Sequence, residues 1–201
     1  MSLLVLVRHG QSTANLANVF TGWLDVALSP TGEAEAAAVA QRLRGLRFDR
    51  AYCSTLQRSR RTLEIILTGL GQSDLPILAT DALKERRYGD LQGLNKAETV
   101  LRYGAAQVEQ WRRSYDVAPP GGESLRQTQA RAVQFFESNL APQLRAGRHI
   151  LVASHGNTLR GLRMYLEHLT PAQVERLEIA TGGIRAYHFD EKLAIQRTDN
   201  L

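Results

Sequence analysis

Cysteine is nearly absent: Cys53 is the only one in 201 residues, so no internal disulfide can form and disulfide-stapled folds are excluded. Metal-ligand spacings are missing too, because neither H-x-x-H, H-E-x-x-H nor a paired Cys/His pattern occurs. No apolar stretch approaches the ~18–20 residues of a membrane span. The apolar start is too short for a secretory signal and lacks its cationic lead. These absences point to the reducing cytoplasm and away from a membrane. There is also no G-x-S-x-G elbow, no low-complexity tract and no solenoid-type repeat.

Acidic residues are outnumbered, 20 against 25 cations, and arginine supplies nearly all of the positive charge. The net charge of +5 would suit nucleic acid, an acidic surface or a small anion. The arginines are scattered rather than striped, and no zinc-finger, RNP or helix-turn-helix signature accompanies them. A small phosphorylated substrate is therefore the expected partner, with no nucleic acid and no membrane. The length and the 43% apolar content suit one domain, residues 1–201, with a real core.

Short apolar runs alternate with helical patterns. Leu3–Val7, Phe48–Ser54, Ile77–Ala79 and Ile150–Val152 read as strands, and "IRAYHFD" from Ile184 reads as the last one. Ser29-Pro30 caps an Ala-rich helix that Gly45 can end. Ser54 or Thr55 can cap the next helix, through Leu67. Ser124–Leu140 repeats apolar residues at helical spacing, and a further helix should begin around Asn157 or Thr158. Residues 85–122, rich in Gly, Tyr, Trp and Arg, suit an elaboration over a site. The expected fold is a three-layer α/β/α sandwich around a mostly parallel sheet.

Two stretches share one design. "VLVRHG" and "LVASHG" each end an apolar strand on His-Gly, placing His9 and His155 where open α/β sheets bind ligands. The glycines, Gly10 and Gly156, allow close backbone approach and a helix N-terminus, a natural anion site. Arg8 beside His9 would repel a metal cation. Ser154 adjoins His155 but points to the opposite face of a strand, which argues against a serine hydrolase. Phosphoryl transfer to a histidine suits these residue types, since a neutral imidazole is a nucleophile near pH 7. Arg8, Arg58 and His155 are candidate donors to the phosphoryl oxygens, and Glu85 is the candidate acid for the leaving oxygen. No metal is needed for this chemistry.

At these residues the chain resembles the histidine phosphatase superfamily, whose mark is the RHG triplet. "FTGWLDVALSPTGEAEA", "ERRYGDLQGLNKAE", "WRRSYD" and "SHGNTLRGL" resemble more specifically its cofactor-dependent phosphoglycerate mutase branch. The resemblance runs from Leu3 to about Asp190. It implies interconversion of 3- and 2-phosphoglycerate, with 2,3-bisphosphoglycerate as the phosphoryl primer. His9 would then be the phosphorylated nucleophile and Glu85 the general acid and base, with Arg8, Arg58, Asn15 and His155 on the phosphoryl group. Thr21, Gly22, Tyr88, Lys96, Arg112, Arg113 and Asn157 would hold the rest of the substrate, as would the backbone at Gly156.

Four departures from the family pattern stand out. Gln11 replaces the usual Glu after RHG, and Arg87 replaces the usual His. Pro119-Pro120 run directly into "GGESL" where a longer loop is typical, and the chain ends with "YHFDEKLAIQRTDNL", without the long tail of many members. The shortened cover predicts a more open site and a phosphatase as the alternative activity, and it leaves a homo-oligomer open. A catalytically dead binding domain is disfavoured, because the whole charge set is present.

Overall fold

The computed structural model describes Met1 to Leu201. Strand β1 (Ser2–Arg8) is apolar without alternation, and its burial explains why. Leu3, Val5 and Val7 face one 16-residue core cluster, while Leu4 and Leu6 face a second of equal size. Strand β4 (Ile150–Ser154) divides the same way, Leu151 and Ala153 to one side and Ile150 and Val152 to the other. Both strands are covered on both faces, the condition under which a continuous apolar run is stable.

The covering layers follow from helical spacing. On one face lie α2 (Pro30–Arg42) and α3 (Gln57–Gly69), contributing Val39, Ala40, Leu63, Ile66 and Leu67. On the other lie α6 (Leu125–Phe135), α7 (Ala141–Arg145) and α8 (Gly156–Leu166), contributing Ala132, Leu144, Leu159 and Leu162. With β2 (Arg50–Ser54), β3 (Ile77–Thr80), β5 (Ile184–Phe189) and β6 (Ile195–Asp199), the sheet order is β3-β2-β4-β1-β5-β6. The β3-β2, β2-β4 and β4-β1 pairings are parallel, and the two involving β5 are antiparallel. The three-layer, mostly parallel architecture is thus the one its sequence pattern predicts. No helix is long and apolar enough to cross a membrane.

Several boundaries differ from expectation. β5 is not the last strand: β6 follows, with a half-buried, largely polar sequence, because it pairs only with β5 at the sheet edge. Ser29 does cap α2, accepting from the Gly32 N–H, but the helix ends at Arg42 and Gly45 occupies the turn beyond with φ of +87°. Neither Ser54 nor Thr55 caps α3; its N-cap is Leu56, with no side-chain cap. Ser54 is engaged elsewhere, and Thr55 donates to Asp81. α8 starts at Gly156, one residue early, with His155 at the N-cap. The helix after Ser124 changes at Phe136–Leu140 into a π turn that keeps Phe136, Leu140 and Ala141 buried together.

Residues 85–122 carry a 3-10 turn (Gly89–Leu91) and two short helices, α4 (Lys96–Tyr103) and α5 (Ala105–Arg113). They hold a small apolar cluster of their own, Phe20, Leu91 and Val108, with Tyr88 and Trp111 packed against it. This cluster joins α5 to the segment after α1 (Thr13–Leu16).

Leu151 is fully buried in the central strand β4. Leu151→Ala is expected to destabilise the fold by about 2–5 kcal/mol, through lost transfer energy plus the cavity left behind. Urea unfolding checks this: the midpoint should fall with the slope unchanged.

Candidate active site

Parallel pairing aligns Arg8 with Ser154, and the His9 N–H continues the ladder by donating to the Ser154 carbonyl at 2.9 Å. The two strands therefore end side by side, and each delivers a histidine. The rings of His9 and His155 lie edge to face, centroids 4.9 Å apart, and both are buried.

Their hydrogen bonds fix different tautomer logic on each ring. His9 Nδ1 lies 2.6 Å from the Gly10 carbonyl oxygen, which can only accept. Nδ1 therefore carries the proton, and Nε2 keeps a free lone pair. His155 Nε2 lies 2.7 Å from Ser54 Oγ. That hydroxyl already accepts from the Leu56 N–H, and its proton has no other acceptor, so it donates to Nε2. The ring proton of His155 is then on Nδ1, a buried atom with no protein partner. One histidine thus offers a lone pair and its neighbour an unused donor. Burial, reinforced by Arg58, pushes both pKa values well below the ordinary 6.5. Arg8 adds to the effect at both rings.

Arg58 comes from the first turn of α3 and is 1% exposed. Its Nη1 and Nη2 donate to the carbonyls of Leu24 and Gly22, each at 2.8 Å, which holds the guanidinium in one orientation. Burial pushes its pKa down to about 10, so it stays charged at neutral pH. Arg8 donates through Nη1 to the Ile179 carbonyl at 2.5 Å, while its buried Nε has no partner. Glu85 accepts at Oε1 from the backbone N–H groups of Arg86 (2.8 Å) and Asn157 (3.1 Å). Its Oε2 lies close to Gly156, as does the Arg8 guanidinium, and a Cβ at Gly156 would touch both, at 3.8 and 3.6 Å. The glycine after the second histidine thus keeps the approach to the acid and the arginine narrow but open.

Every residue expected from the sequence to do the chemistry or to hold the substrate, except His155, lines one cleft; Gly10 does not. His155 sits fully buried beside His9. Asn15 caps α1 with Ser12: its carboxamide oxygen accepts from the Ser12 N–H and hydroxyl, which leaves its NH2 for a ligand. Asn157 donates to the Tyr88 hydroxyl at 3.3 Å. Lys96 has a lowered pKa, through burial and then through Arg112 and Arg8. The substituted positions are outside the cleft lining: Gln11 accepts from the Ser29 hydroxyl, and Arg87 stacks over Trp23.

Three residues were not foreseen. Arg160 lines the cleft and follows Asn157 by three positions on α8, a spacing that puts both on one helix face. Glu178 also lines it, among the arginines, with no local signal in its sequence. Ser54 looks like a helix cap from the sequence but serves the His155 ring. The cleft holds six cationic side chains (Arg8, Arg58, Lys96, Arg112, Arg113, Arg160) against two carboxylates, Glu85 and Glu178. That balance, from fixed and partly desolvated donors, suits an oligoanion. No group of three or more His, Cys, Asp or Glu side chains is arranged to hold a metal ion.

Residues 4–199 match the model of the histidine phosphatase superfamily, branch 1. The chain belongs to that superfamily. Among superfamily members, it is 50% identical over 193 residues to the 2,3-bisphosphoglycerate-dependent phosphoglycerate mutase of Cytophaga hutchinsonii, covering 96% of this chain and 90% of that protein. It is 48% identical over 202 residues to the enzyme of the same name from Parvibaculum lavamentivorans, covering 100% and 96%. The solved structure of Bacillus stearothermophilus YhfR has the same fold as this chain, with a TM-score of 0.85 at 23% identity over 98% of this chain and 96% of that one.

The lowered histidine pKa values give a signed expectation. An unperturbed histidine is half protonated near pH 6.5, whereas His9 and His155 are neutral there. The unfolded chain then binds protons that the folded one refuses, so stability falls as pH drops below about 6.5. Nitrogen-15 NMR of the imidazoles should show both rings neutral at pH 6.5 and protonated at Nδ1. A doubly protonated ring at either position contradicts the assignment.

Proposed function

We propose that this chain, acting as a single domain, interconverts 3-phosphoglycerate and 2-phosphoglycerate through a phosphorylated His9. The observation that carries the reading is that the cleft's cations come in two sets. Arg8 and Arg58 stand around the histidine pair, while Lys96, Arg112, Arg113 and Arg160 come from α4, α5 and α8. A monoester phosphatase needs only the first set. A mutase must also retain a second anionic end while the first phosphoryl group is exchanged. The half-identity to proteins named as such mutases, over nearly the whole chain, supports the same reading.

His9 takes its first phosphoryl group from 2,3-bisphosphoglycerate, which supplies the priming phosphate. Nε2 is the attacking atom, because Nδ1 is occupied by the Gly10 carbonyl. Arg8, Arg58, Asn15 and the His155 Nδ1–H bind the phosphoryl oxygens. In the forward transfer the Glu85 carboxylate takes the proton of the attacking substrate hydroxyl as the P–N bond breaks and the new P–O bond forms. In the return transfer His9 attacks the other phosphate, and Glu85 gives the proton back to the leaving oxygen. Between the two steps the bisphosphorylated intermediate turns over, held by Thr21, Gly22, Tyr88, Lys96, Arg112, Arg113, Asn157 and the backbone at Gly156. No step calls for a metal ion, and the reaction belongs to cytoplasmic glycolysis and gluconeogenesis.

A phosphatase component is the second reading, and one observation favours it. The segment from Val117 to Glu123 is tied down at both ends: Arg86 donates to both the Val117 and Glu123 carbonyls. It contributes no lining residue. Water excluded poorly from phosphohistidine would hydrolyse it.

Phosphorus NMR of 3-phosphoglycerate with the enzyme in EDTA tests the proposal. Conversion to the 2-isomer, stimulated by catalytic 2,3-bisphosphoglycerate, is expected; inorganic phosphate alone would replace the mutase by the phosphatase. His9→Ala should lower the rate at least about a thousandfold by removing the covalent route. Glu85→Gln should lower it by about 100- to 10,000-fold by removing proton transfer.

A further inference from the structure

Glu178 is a carboxylate in a place built for anions. It lines the cleft, and its side chain is 70% exposed, yet it pairs with two arginines of the far cation set. One is Arg113, bound directly through Nη2. The other is Arg160, whose Nη2 lies 3.5 Å from the carboxylate. Arg160 is otherwise committed: Nε donates to the Leu177 carbonyl at 2.7 Å and Nη1 to Asn157 Oδ1 at 3.3 Å. Arg113 keeps Nη1 buried with no partner at all. So the nitrogens left to receive a ligand's distal anion are partly occupied by a carboxylate of the chain itself.

We infer that Glu178 is an internal counter-anion, seated on Arg113 and Arg160 in the free enzyme and displaced when the far end of a two-ended anionic ligand binds. The inference rests on the reading above only in taking the ligand to be two-ended. The physical basis is competition for the same donors. The two arginines repel each other, and each lies near enough to a carboxylate to be compensated while the cleft is empty. A ligand must replace that carboxylate, so its distal group gains only the difference between its own charge and that of Glu178. A neutral distal group gains nothing and leaves Glu178 in place. A carboxylate exchanges like for like, and a dianionic phosphate gains a further charge. Glu178 thereby weakens every ligand whose distal anion must displace it, by about the same amount, and eases release of the product. Its exposure leaves it free to swing toward solvent when displaced.

The alternative role predicts the opposite sign. If Glu178 were a strut holding Arg113 in position, removing its charge would loosen the arginine and weaken ligand binding.

Calorimetric titration of dephosphorylated enzyme with two probes tests the inference. 3-Phosphoglycerate carries two anionic ends, whereas orthovanadate carries no second group. Glu178→Gln and Glu178→Ala should each bind 3-phosphoglycerate at least ~5-fold more tightly than the parent, the low end of the range for coupled sites. Orthovanadate affinity should change less than about twofold, since coupling through solvent-exposed charge is weak. Unchanged or weaker 3-phosphoglycerate binding in both variants overturns the inference, as does equal tightening of both probes. Failure of the isomerisation assay would leave this comparison intact, because a phosphatase with the same cleft would show the same competition.

Discussion

The parallel pairing of β1 with β4 is the constraint from which the site follows. Arg8 opposite Ser154 fixes where each strand ends, and the ladder extends one step further through His9. A slip of one residue in that register would turn one strand's side chains to the opposite faces and mix the two apolar cores. It would also part the imidazoles. The site's most sensitive geometry, two rings 4.9 Å apart, is therefore held by the same hydrogen bonds and burial that hold the sheet. Chemistry and stability share a support here, because the His-Gly steps follow directly from the two buried central strands.

Around that pair the protein solves an electrostatic problem. Six cations face one cleft, and like charges at short range are unfavourable unless each is held and compensated. Backbone carbonyls hold three of them: those of Gly22 and Leu24 for Arg58, of Ile179 for Arg8 and of Leu177 for Arg160. A carbonyl orients a guanidinium without cancelling its charge, which preserves the field for a ligand. Carboxylates compensate the outer arginines, Glu109 reaching Arg112 and Arg113 and Glu178 reaching Arg113 and Arg160. Glu85 is turned by two backbone donors so that one oxygen is committed and the other stays beside Arg8 and Gly156. The neutral state of both histidines belongs to the same arrangement, because burial and the adjacent arginines refuse them a proton.

Much of this was legible in the sequence. The strands covered on both faces have unbroken apolar runs, and the two His-Gly steps sit at their ends, so the sheet and the histidine pair could be read together. Capping chemistry located the start of α2 at Ser29. Legibility failed where a residue's local signal competes with a distant partner. Ser54 is well suited to cap α3, yet it bonds to His155 from 101 residues away. Glu178 has no local signal, because its meaning depends on Arg113 and Arg160, which other elements bring to it. Strand β6 was missed for a related reason: an edge strand needs no apolar run, since one partner and partial burial suffice. The shortened stretch at Pro119–Gly122 was visible as a departure, but only the structure shows Arg86 tying its flanks down.

The central claim is that His9 Nε2 is the atom that accepts phosphate, because the Gly10 carbonyl holds the proton on Nδ1. The most direct test is to expose the protein to 2,3-bisphosphoglycerate, quench in base and locate the phosphoryl group. Peptide mass spectrometry identifies the residue, and phosphorus–nitrogen coupling in labelled protein identifies the ring atom. The account predicts one acid-labile phosphoryl group, on Nε2 of His9. Phosphate on Nδ1 of His9, on His155, or on no histidine would contradict it.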